Sequence, residues 1–402
     1  MAVKLRSLRP PMLSVVAALS FAPALLTWQA SVQVNDVSAG QQDRPEAAMS
    51  GDGTAYLIWD DYRSGSNGDI YFSRRDPVTG SWSANEKVSD DTTGRTQWNA
   101  AIAVDGSGVA YAVWRDQRDG RKTPDTNIYF AKRGGGVWSA NRRVNDDTGA
   151  AAIQATPRIA VTTAGDAVAV WEDHRSSQWN VYSSRLAAGG VAWAANLRVT
   201  DNGTSRKFDP DVTIAPDGTA YAVWDDDRTG NSDVWFSKLL PGASAWTANQ
   251  RISDDPGLAA QYGPRIAIAA NGDLYVVWLD DRVPSTEVRM SRLLAGGPGW
   301  EASRVVSDAA AVPVTLALGL AGNGAAFAVW QDARGTSYDI WGAEYDVASD
   351  AWLAPALVSD DPAATAQMRP TVARSSSQVV AAWRDDRVSG GDIRARVANA
   401  GP

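Results

Sequence analysis

The sequence predicts an all-β fold, a seven-bladed β-propeller of four-stranded antiparallel blades, and three observations lead to this prediction. The pattern Trp-x-Asp-x-Arg occurs seven times, at steps of 55, 57, 53, 54, 52 and 53 residues. Around each copy, short segments with the alternation of β-strands are separated by turn signals, and no helical period is present. The last copy lacks a fourth strand, while an unattached strand lies near the N-terminus. Such regular self-similarity identifies one small unit made seven times.

The fourth copy shows the elements of one unit in chain order. Asp217-Gly218 separates two strand-like segments and favours a hairpin, because both residues tolerate positive φ. Residues 225–232 are polar and predict a loop. The four predicted strands are 210–215, 219–224, 233–238 and 250–253.

The two ends of the chain are predicted to complete one blade together. The seventh copy stops after its third strand, 393–397, whereas residues 32–36 look like a fourth strand with nothing before it. Pairing these segments closes the ring, so the N-terminal strand completes the last blade. Repeated four-stranded units around a ring form a β-propeller, and closure protects the sheet edge between the first and last blades.

The repeated tryptophan, aspartate and arginine are predicted to be structural, because catalysis needs a unique constellation and these residues are present in every copy. Each aspartate is expected to accept backbone N–H bonds in its own loop and to pair with an arginine of the same or the next blade. The alternative is seven equivalent calcium or ligand sites. The residues are Trp59, Asp61, Arg63, Trp114, Asp116, Arg118, Trp171, Asp173, Arg175, Trp224, Asp226, Arg228, Trp278, Asp280, Arg282, Trp330, Asp332, Arg334, Trp383, Asp385 and Arg387.

A second tryptophan series follows the third strands and has six members rather than seven. These tryptophans are predicted to cover the outer strands, whereas the first series packs between blades; stacking on sugar faces is the alternative for both. The members are Trp82, Trp138, Trp193, Trp246, Trp300 and Trp352.

The turn before the first of these tryptophans, Asp76-Pro77-Val78-Thr79-Gly80-Ser81-Trp82, resembles the Asp-box of sialidase-like (BNR-type) propellers. That family has Ser-x-Asp-x-Gly-x-x-Trp in the turn between strands three and four. The resemblance covers residues 32–402 at the level of repeat architecture. The resemblance implies a secreted bacterial propeller. For a sialidase, it further implies an arginine triad that binds the substrate carboxylate, together with a Tyr–Glu pair and an Asp. The segments nearest the family's Arg-Ile-Pro start are Arg158-Ile159-Ala160 and Arg265-Ile266-Ala267.

Composition excludes several classes of protein. The chain of 402 residues has no cysteine, so disulfides, thiolate metal sites and a cysteine nucleophile are impossible. A formal charge of −8 with no basic cluster argues against nucleic acid and an anionic membrane surface as partners. No cofactor is expected, and calcium remains an alternative where Asp-Asp pairs such as Asp90-Asp91 lie near the repeat loops. The single histidine, His174, is expected to be a solvated loop residue rather than a general base.

The first 30 residues are predicted to be a secretory signal. Lys4, Arg6 and Arg9 precede an apolar stretch, Leu13 to Leu26, that is too short to span a membrane and contains Pro23. Cleavage is expected either at Ala22-Pro23-Ala24 or nearer Ala30. The mature protein is then a secreted or periplasmic monomer, free of the membrane, whose single propeller domain is residues 31–402.

A ligand site is expected where the repeats differ, at the central mouth formed by the entries to the innermost strands. The candidate residues there are Arg44, Trp98, Asp209, Tyr262 and Arg369. Two guanidiniums beside a tyrosine and carboxylates suit an anionic sugar or another carboxylate. The sequence favours a binding module for a glycan or protein ligand. The alternatives are an exo-sialidase-like glycoside hydrolase, whose Glu beside a Tyr cannot be assigned, and an extracellular scaffold without a ligand site.

Overall fold

We describe the protein from a computed structural model covering residues 26–120, 125–148, 152–201, 205–361, 365–388 and 390–399. The predicted signal segment therefore lies outside the described residues, apart from residues 26–30. No helix in the described ranges is long and apolar enough to cross a membrane.

Seven antiparallel sheets form the predicted propeller, and within blades one to six the strands follow chain order from the innermost outward. The innermost strands contact one another around a central channel. They are Gln42–Met49, Gln97–Val104, Gln154–Val161, Lys207–Ile214, Gln261–Ile268, Pro313–Leu320 and Gln367–Arg374. The second strands are Ala55–Asp61, Ala110–Asp116, Ala167–Asp173, Ala220–Asp226, Leu274–Asp280, Ala326–Asp332 and Gln378–Asp385.

The two outer strands of each blade differ in length. The third strands are Asp69–Arg75, Asn127–Gly134, Asn180–Leu186, Asp233–Leu239, Glu287–Leu293, Asp339–Asp346 and Asp392–Asn399. The fourth strands of blades one to six are only two residues long: Glu86–Lys87, Arg142–Arg143, Leu197–Arg198, Gln250–Arg251, Arg304–Val305 and Ala356–Leu357. Two further short pieces, Val137–Trp138 and Ala351–Trp352, pair with the third strands of blades two and six. Short outermost strands limit the exposed edge of each sheet.

The core lies between neighbouring blades, and the first tryptophan series fills it. Each of these seven side chains is fully buried. Trp171 of blade three packs in one cluster with Val113 and Ile128 of blade two. Trp59 of blade one packs in the same way with Ile393 of blade seven. Every blade therefore buries its tryptophan against the blade that precedes it around the ring.

The repeat aspartate is the polar centre of each blade end. In blade three, Trp171 donates its indole N–H to Asp173 Oδ2 at 2.8 Å. The backbone N–H of Arg175 donates to Asp173 Oδ1 at 2.9 Å, and the guanidinium forms two further bonds to the same carboxylate, at 3.0 and 2.8 Å. Burying a charged group without partners is costly, so these four bonds account for a carboxylate that has no exposure to solvent.

The repeat arginine also ties its blade to the preceding one. Arg175 Nη1 donates to Asp146 of blade two at 2.8 Å, and Nη2 donates to Asn196 Oδ1 at 2.9 Å. The backbone N–H of Asn196 then donates to Asp146 Oδ2 at 2.8 Å. The corresponding acceptors for the seven arginines are Asp36, Asp90, Asp146, Asp201, Asp254, Asp308 and Asp360.

The second strands extend further than the sequence indicated. In blade four, Asp225 and Asp226 pair with Phe208 and Lys207, so the loop predicted from residue 225 begins two residues later. Polar character suggested a loop, but Asp226 is buried and bonded to Arg228, which lets it end a strand.

The N-terminal segment closes the ring as predicted. Val32 and Gln33 pair with Ala395 and Arg394 of the last blade. The N–H of Val34 donates to the carbonyl of Ile393 at 2.8 Å. The seventh blade is thus completed by the other end of the chain.

A further N-terminal strand, Thr27–Trp28, pairs with Ala398 and Asn399 of the same blade. The Trp28 ring meets Phe327 of blade six edge-on, with centroids 5.6 Å apart. Trp138 of blade two meets Phe72 of blade one in the same way, at 5.2 Å. Trp28 is therefore the seventh member of the second tryptophan series, and it lies within the range predicted as the signal. Trp28 lies 54 residues before Trp82, which is the spacing of the repeat, and this spacing could have identified it from the sequence.

Asp173→Ala is expected to lower the free energy of unfolding by about 3 kcal/mol, because the indole of Trp171 and the guanidinium of Arg175 lose their shared buried acceptor. Chemical denaturation measures the change. Gln178→Ala, at an exposed position in the same loop, is the control and should shift the value by less than about 0.5 kcal/mol. Equal effects from both variants would contradict the structural role of the aspartate.

Candidate functional site

The innermost strand bulges where it enters the mouth of the channel. In blade four, residues 209 and 210 stand opposite Trp224 alone, between the pairs Phe208–Asp225 and Asp211–Val223. The first bulge residue of six blades has a left-handed backbone, with φ from 47° to 62°. These residues are Arg44, Asn99, Thr156, Asp209, Gly263 and Arg369.

Five of these six residues carry a side chain in a conformation that favours glycine. The left-handed region costs a residue with a Cβ roughly 1–2 kcal/mol, and a β-branched residue such as Thr156 is a clear outlier. Gly263 occupies the equivalent place in blade five, so the repeat accepts glycine there. Strain of this kind is concentrated at functional sites, which directs attention to the side chains that the bulges carry.

A cavity of ≈ 520 Å³ lies at this mouth. Its lining includes Arg44, Asn99, Thr156, Asp209 and Arg369 from the bulges, together with side chains of blades five and six. The volume is in the range of small-molecule sites. The lining combines charged and polar side chains with apolar ones, the latter including Val314, Leu316 and Ala317 of blade six.

Arginines from the last and first blades converge on one side of the mouth. Arg369 Nη1 lies 3.0 Å from Asp43 Oδ2, and the guanidiniums of Arg384 and Arg44 lie 3.8 and 3.7 Å from the same carboxylate. Arg44 also donates to Asp60 Oδ2 at 3.3 Å. The Arg44 and Arg369 side chains are each 38% exposed, whereas both aspartates are buried. Three guanidiniums thus face three carboxylates, since Arg384 Nε also donates to Asp386 at 2.8 Å, and Arg44 and Arg369 are open to the cavity.

Burial weakens the negative charge beside these arginines. Desolvation raises the pKa of Asp60 to about 7, against the opposing effects of Arg44 and of the Asn99 N–H that donates to its Oδ2. Below pH 7 Asp60 is therefore increasingly neutral, and the net positive charge of the arginine side grows.

Carboxyl groups gather on the other side of the mouth. The N–H of Asp209 donates to Glu172 Oε1 at 2.9 Å. Burial, and next the charge of Asp209, raise the pKa of Glu172 to about 7. The same two causes raise the pKa of Asp225 well above its ordinary value. Within the described ranges, no lysine or arginine nitrogen lies within 4.0 Å of these three carboxylates.

The residue between the tryptophan and the aspartate of Trp-x-Asp-x-Arg supplies several of these groups. Its side-chain oxygen accepts the N–H of the next blade's bulge residue in three places: Asp60 from Asn99, Glu172 from Asp209, and Gln331 from Arg369. The residues at this position are Asp60, Arg115, Glu172, Asp225, Leu279, Gln331 and Arg384. Sequence reasoning passed over them because they lie inside the repeat, although variation at this one position was the visible signal.

Charged side chains also fill the channel beneath the mouth. Arg158 Nη2 lies 3.3 Å from Glu46 Oε1, and Asp211 Oδ2 accepts the N–H of Ile266 at 2.9 Å. Burial raises the pKa of Asp211, which the guanidiniums of Arg265 and Arg158 oppose. Arg158 and Arg265, the residues nearest the sialidase pattern, thus belong to an ionic layer and also line the cavity.

The structure brings three of the five candidate residues together and leaves two apart. Arg44, Asp209 and Arg369 line the cavity, whereas Trp98 and Tyr262 are not part of its lining. The guanidinium of Arg115 lies over the Trp98 ring, 4.6 Å from its centroid. Tyr262 packs against the core between blades five and six. Tyr262 therefore does not lie beside Arg44 and Arg369 as the sequence had suggested.

Neither the histidine nor the acidic pairs form a recognisable reaction centre. The His174 ring lies 5.0 Å from the Trp179 ring in a loop away from the cavity. Across the part of the chain that the structure describes, no three or more His, Asp or Glu side chains are arranged to hold a metal. Asp91 instead accepts hydrogen bonds from Thr93 and Gln97.

Comparison with solved structures finds several proteins with a similar fold. A polysaccharide lyase of family PL25, an ulvan lyase solved with -[GlcA(1-4)Rha3S]-, superposes with a TM-score of 0.62 at 12% identity, over 90% of this chain and 95% of that one. The GH93 α-L-arabinofuranosidase of Fusarium graminearum, solved with arabinobiose, gives 0.55 at 12% identity, over 92% and 98%. The Hadza microbial sialidase Hz136 gives 0.50 at 12% identity, over 92% and 68%.

The sialidase-like propeller type predicted from the sequence is thus confirmed at the level of the fold. The chain matches no protein-family model and no curated protein sequence. At this identity the likeness establishes the fold alone.

Glu172→Gln is expected to flatten the pH dependence of stability. A carboxyl whose pKa is raised from 4.5 to about 7 on folding favours the folded state at low pH, and this contribution is lost as pH rises to 7. Wild-type free energy of unfolding should therefore fall by about 2 kcal/mol more than that of the variant between pH 5.5 and 8. Denaturant titrations at both pH values measure this difference, with Glu86→Gln on the outer rim as the charge-matched control. A wild-type slope retained in Glu172→Gln would contradict the assignment.

Proposed function

We propose that this protein is a secreted β-propeller that binds a saccharide bearing a carboxylate at its central mouth. The observation that carries the proposal is the pair of half-exposed guanidiniums, Arg44 and Arg369, facing one cavity of ≈ 520 Å³. Guanidinium groups bind carboxylates through paired N–H donors.

The charge balance supports an anionic ligand. Arg44 and Arg369 oppose Asp43 and Asp60, whereas Arg384 also pairs with Asp386. Asp60 increasingly loses its charge below pH 7, which leaves an excess of positive charge. The excess positive charge on this side faces the cavity rather than bulk solvent, where an ionic attraction is weaker.

The chemistry of the fold's neighbours supports a saccharide over other carboxylates. The ulvan lyase was solved with a fragment containing GlcA, and the arabinofuranosidase with arabinobiose. The cavity volume suits one or two sugar rings, and polar side chains around the mouth offer donors and acceptors for hydroxyl groups.

A second candidate is cleavage of such a saccharide. Glu172, beside the mouth, has a pKa raised to about 7 and so carries a proton near neutral pH. A general acid with a pKa near the working pH can protonate a leaving oxygen. This candidate differs from the sialidase prediction in resting on Glu172 rather than on a Tyr–Glu pair.

Arg369→Ala is expected to weaken binding of a uronic-acid disaccharide about tenfold or more, since a charge-assisted hydrogen bond contributes about 1.5–3 kcal/mol. Alanine keeps the left-handed strain at this position, so the variant removes only the side chain. Isothermal titration calorimetry with glucuronate- and glucose-containing disaccharides measures the effect. Arg74→Ala, at an exposed position on blade one, is the matched control. Equal affinity of wild type and Arg369→Ala for the uronate would overturn the proposal.

If the protein cleaves its ligand, Glu172→Gln should lower kcat on the responsive substrate by about 100-fold or more, because general acid–base catalysis typically contributes that much. A panel of fluorogenic sialosides, uronides and arabinofuranosides tests this, with Arg44→Ala reporting on carboxylate recognition. Turnover that survives in Glu172→Gln argues against this acid, and the absence of turnover on any substrate leaves binding as the function.

A further inference from the structure

We infer that the saccharide bound at the mouth carries a protonated amine as well as a carboxylate. The ligand class is a zwitterionic saccharide, such as a uronic acid joined to an amino sugar without an acetyl group. This inference rests on the proposed function and specifies its substrate.

The mouth has two halves of opposite charge. The arginine half comes from blades seven and one, through Arg369, Arg384 and Arg44. The carboxyl half comes from blades three and four, through Glu172, Asp209 and Asp225. In a ring of seven these blade pairs are nearly opposite. Because Arg44, Arg369 and Asp209 line the same cavity, one ligand can reach both halves.

The carboxyl half contains an oxygen that lacks a partner. Asp225 is 7% exposed, and its Oδ2 accepts the hydroxyl of Ser232 at 3.0 Å. Its Oδ1 is buried and accepts no hydrogen bond within the described chain. The carboxylate of Asp209 likewise accepts none among the described residues. Asp209 is the member of this half that lines the cavity, and an ammonium group beside it offers three donors with a positive charge.

The neighbouring arginines supply this charge only from a distance. Arg115 lies over the Trp98 ring, donates Nε–H to Thr126 Oγ1 at 3.2 Å, and opposes the rise in the pKa of Glu172 less strongly than burial causes it. Arg158 pairs with Glu46 and attracts Asp209 and Glu172 without coming within 4.0 Å of either carboxylate.

The protonation of the carboxyl half agrees with an unfilled cation site. Burial, and next the charge of Asp209, raise the pKa of Glu172 to about 7 against the opposing effect of Arg115. A bound ammonium opposes this rise and favours the ionised carboxylates. The two halves therefore select a ligand with both charges over one with the carboxylate alone.

The test compares glucuronate linked to glucosamine with the same disaccharide N-acetylated, by calorimetry at pH 7. The free amine is expected to bind wild type about tenfold tighter, as one charge-assisted hydrogen bond provides. Asp209→Asn is expected to abolish this preference, so that the ratio of the two affinities falls to about one. Asp76→Asn, in an outer turn, keeps the preference and controls for the change in net charge. Arg369→Ala weakens both ligands.

The outcomes separate the two proposals. Equal affinities for the amine and its N-acetylated form, with Arg369→Ala weakening both, overturn the zwitterion inference and leave the carboxylate site standing. A preference that persists in Asp209→Asn also overturns it. Failure of wild type to bind either disaccharide counts against the proposed function itself, and a preference lost only in Asp209→Asn supports the inference.

Discussion

The buried carboxylate of the repeat aspartate is the constraint on which the rest of the structure depends. An ionised group without water requires hydrogen-bonding partners, and here the tryptophan and arginine of the same five-residue pattern supply them. The arginine is thereby fixed so that its remaining N–H groups reach the preceding blade. The tryptophan packs against that same preceding blade, so the apolar and the ionic contacts of each blade are made in the same direction around the ring. Each blade therefore stabilises its predecessor, and no single interface has to hold the propeller together.

This arrangement leaves one position of the pattern free to vary. The residue between tryptophan and aspartate belongs to the most regular strand of the blade, yet its side chain reaches the mouth and, in three blades, accepts the neighbour's bulge N–H. Because the scaffold does not depend on its identity, it is aspartate in two blades, arginine in two others, and glutamate, leucine or glutamine in the remaining three. A rigid frame that leaves one position per blade free to vary is a general means of building an asymmetric site from symmetric repeats.

The fold could be predicted almost completely because its evidence is periodic: seven copies, a constant spacing and a split final unit. The site could be predicted only in part. Arg44, Asp209 and Arg369 were found because they enter the innermost strands, but Trp98 and Tyr262 share that description and lie outside the cavity lining. The β-bulge decides which of these entry residues face the cavity. It is a local change of backbone conformation at residues such as Thr156, and the alternation of polar and apolar residues along a strand does not reveal it. Glu172 and Asp225 were missed because burial and mutual repulsion, which give them their properties, arise only when blades three and four are packed.

The closing blade sets an order on the assembly of the molecule. Between the other neighbouring blades, hydrogen-bonded partners such as Asn196 and Asp146 are about 50 residues apart along the chain. Asn35 and Asp392, in contrast, are separated by 357 residues. Six blades can form locally as the chain emerges, but the strand that is made first must stay unpaired until the strand made last arrives. Contacts of such long range are the slowest to form, so the closure formed by Trp28 and Val32–Gln33 governs how long an open, edge-exposed ring exists before the native state is reached.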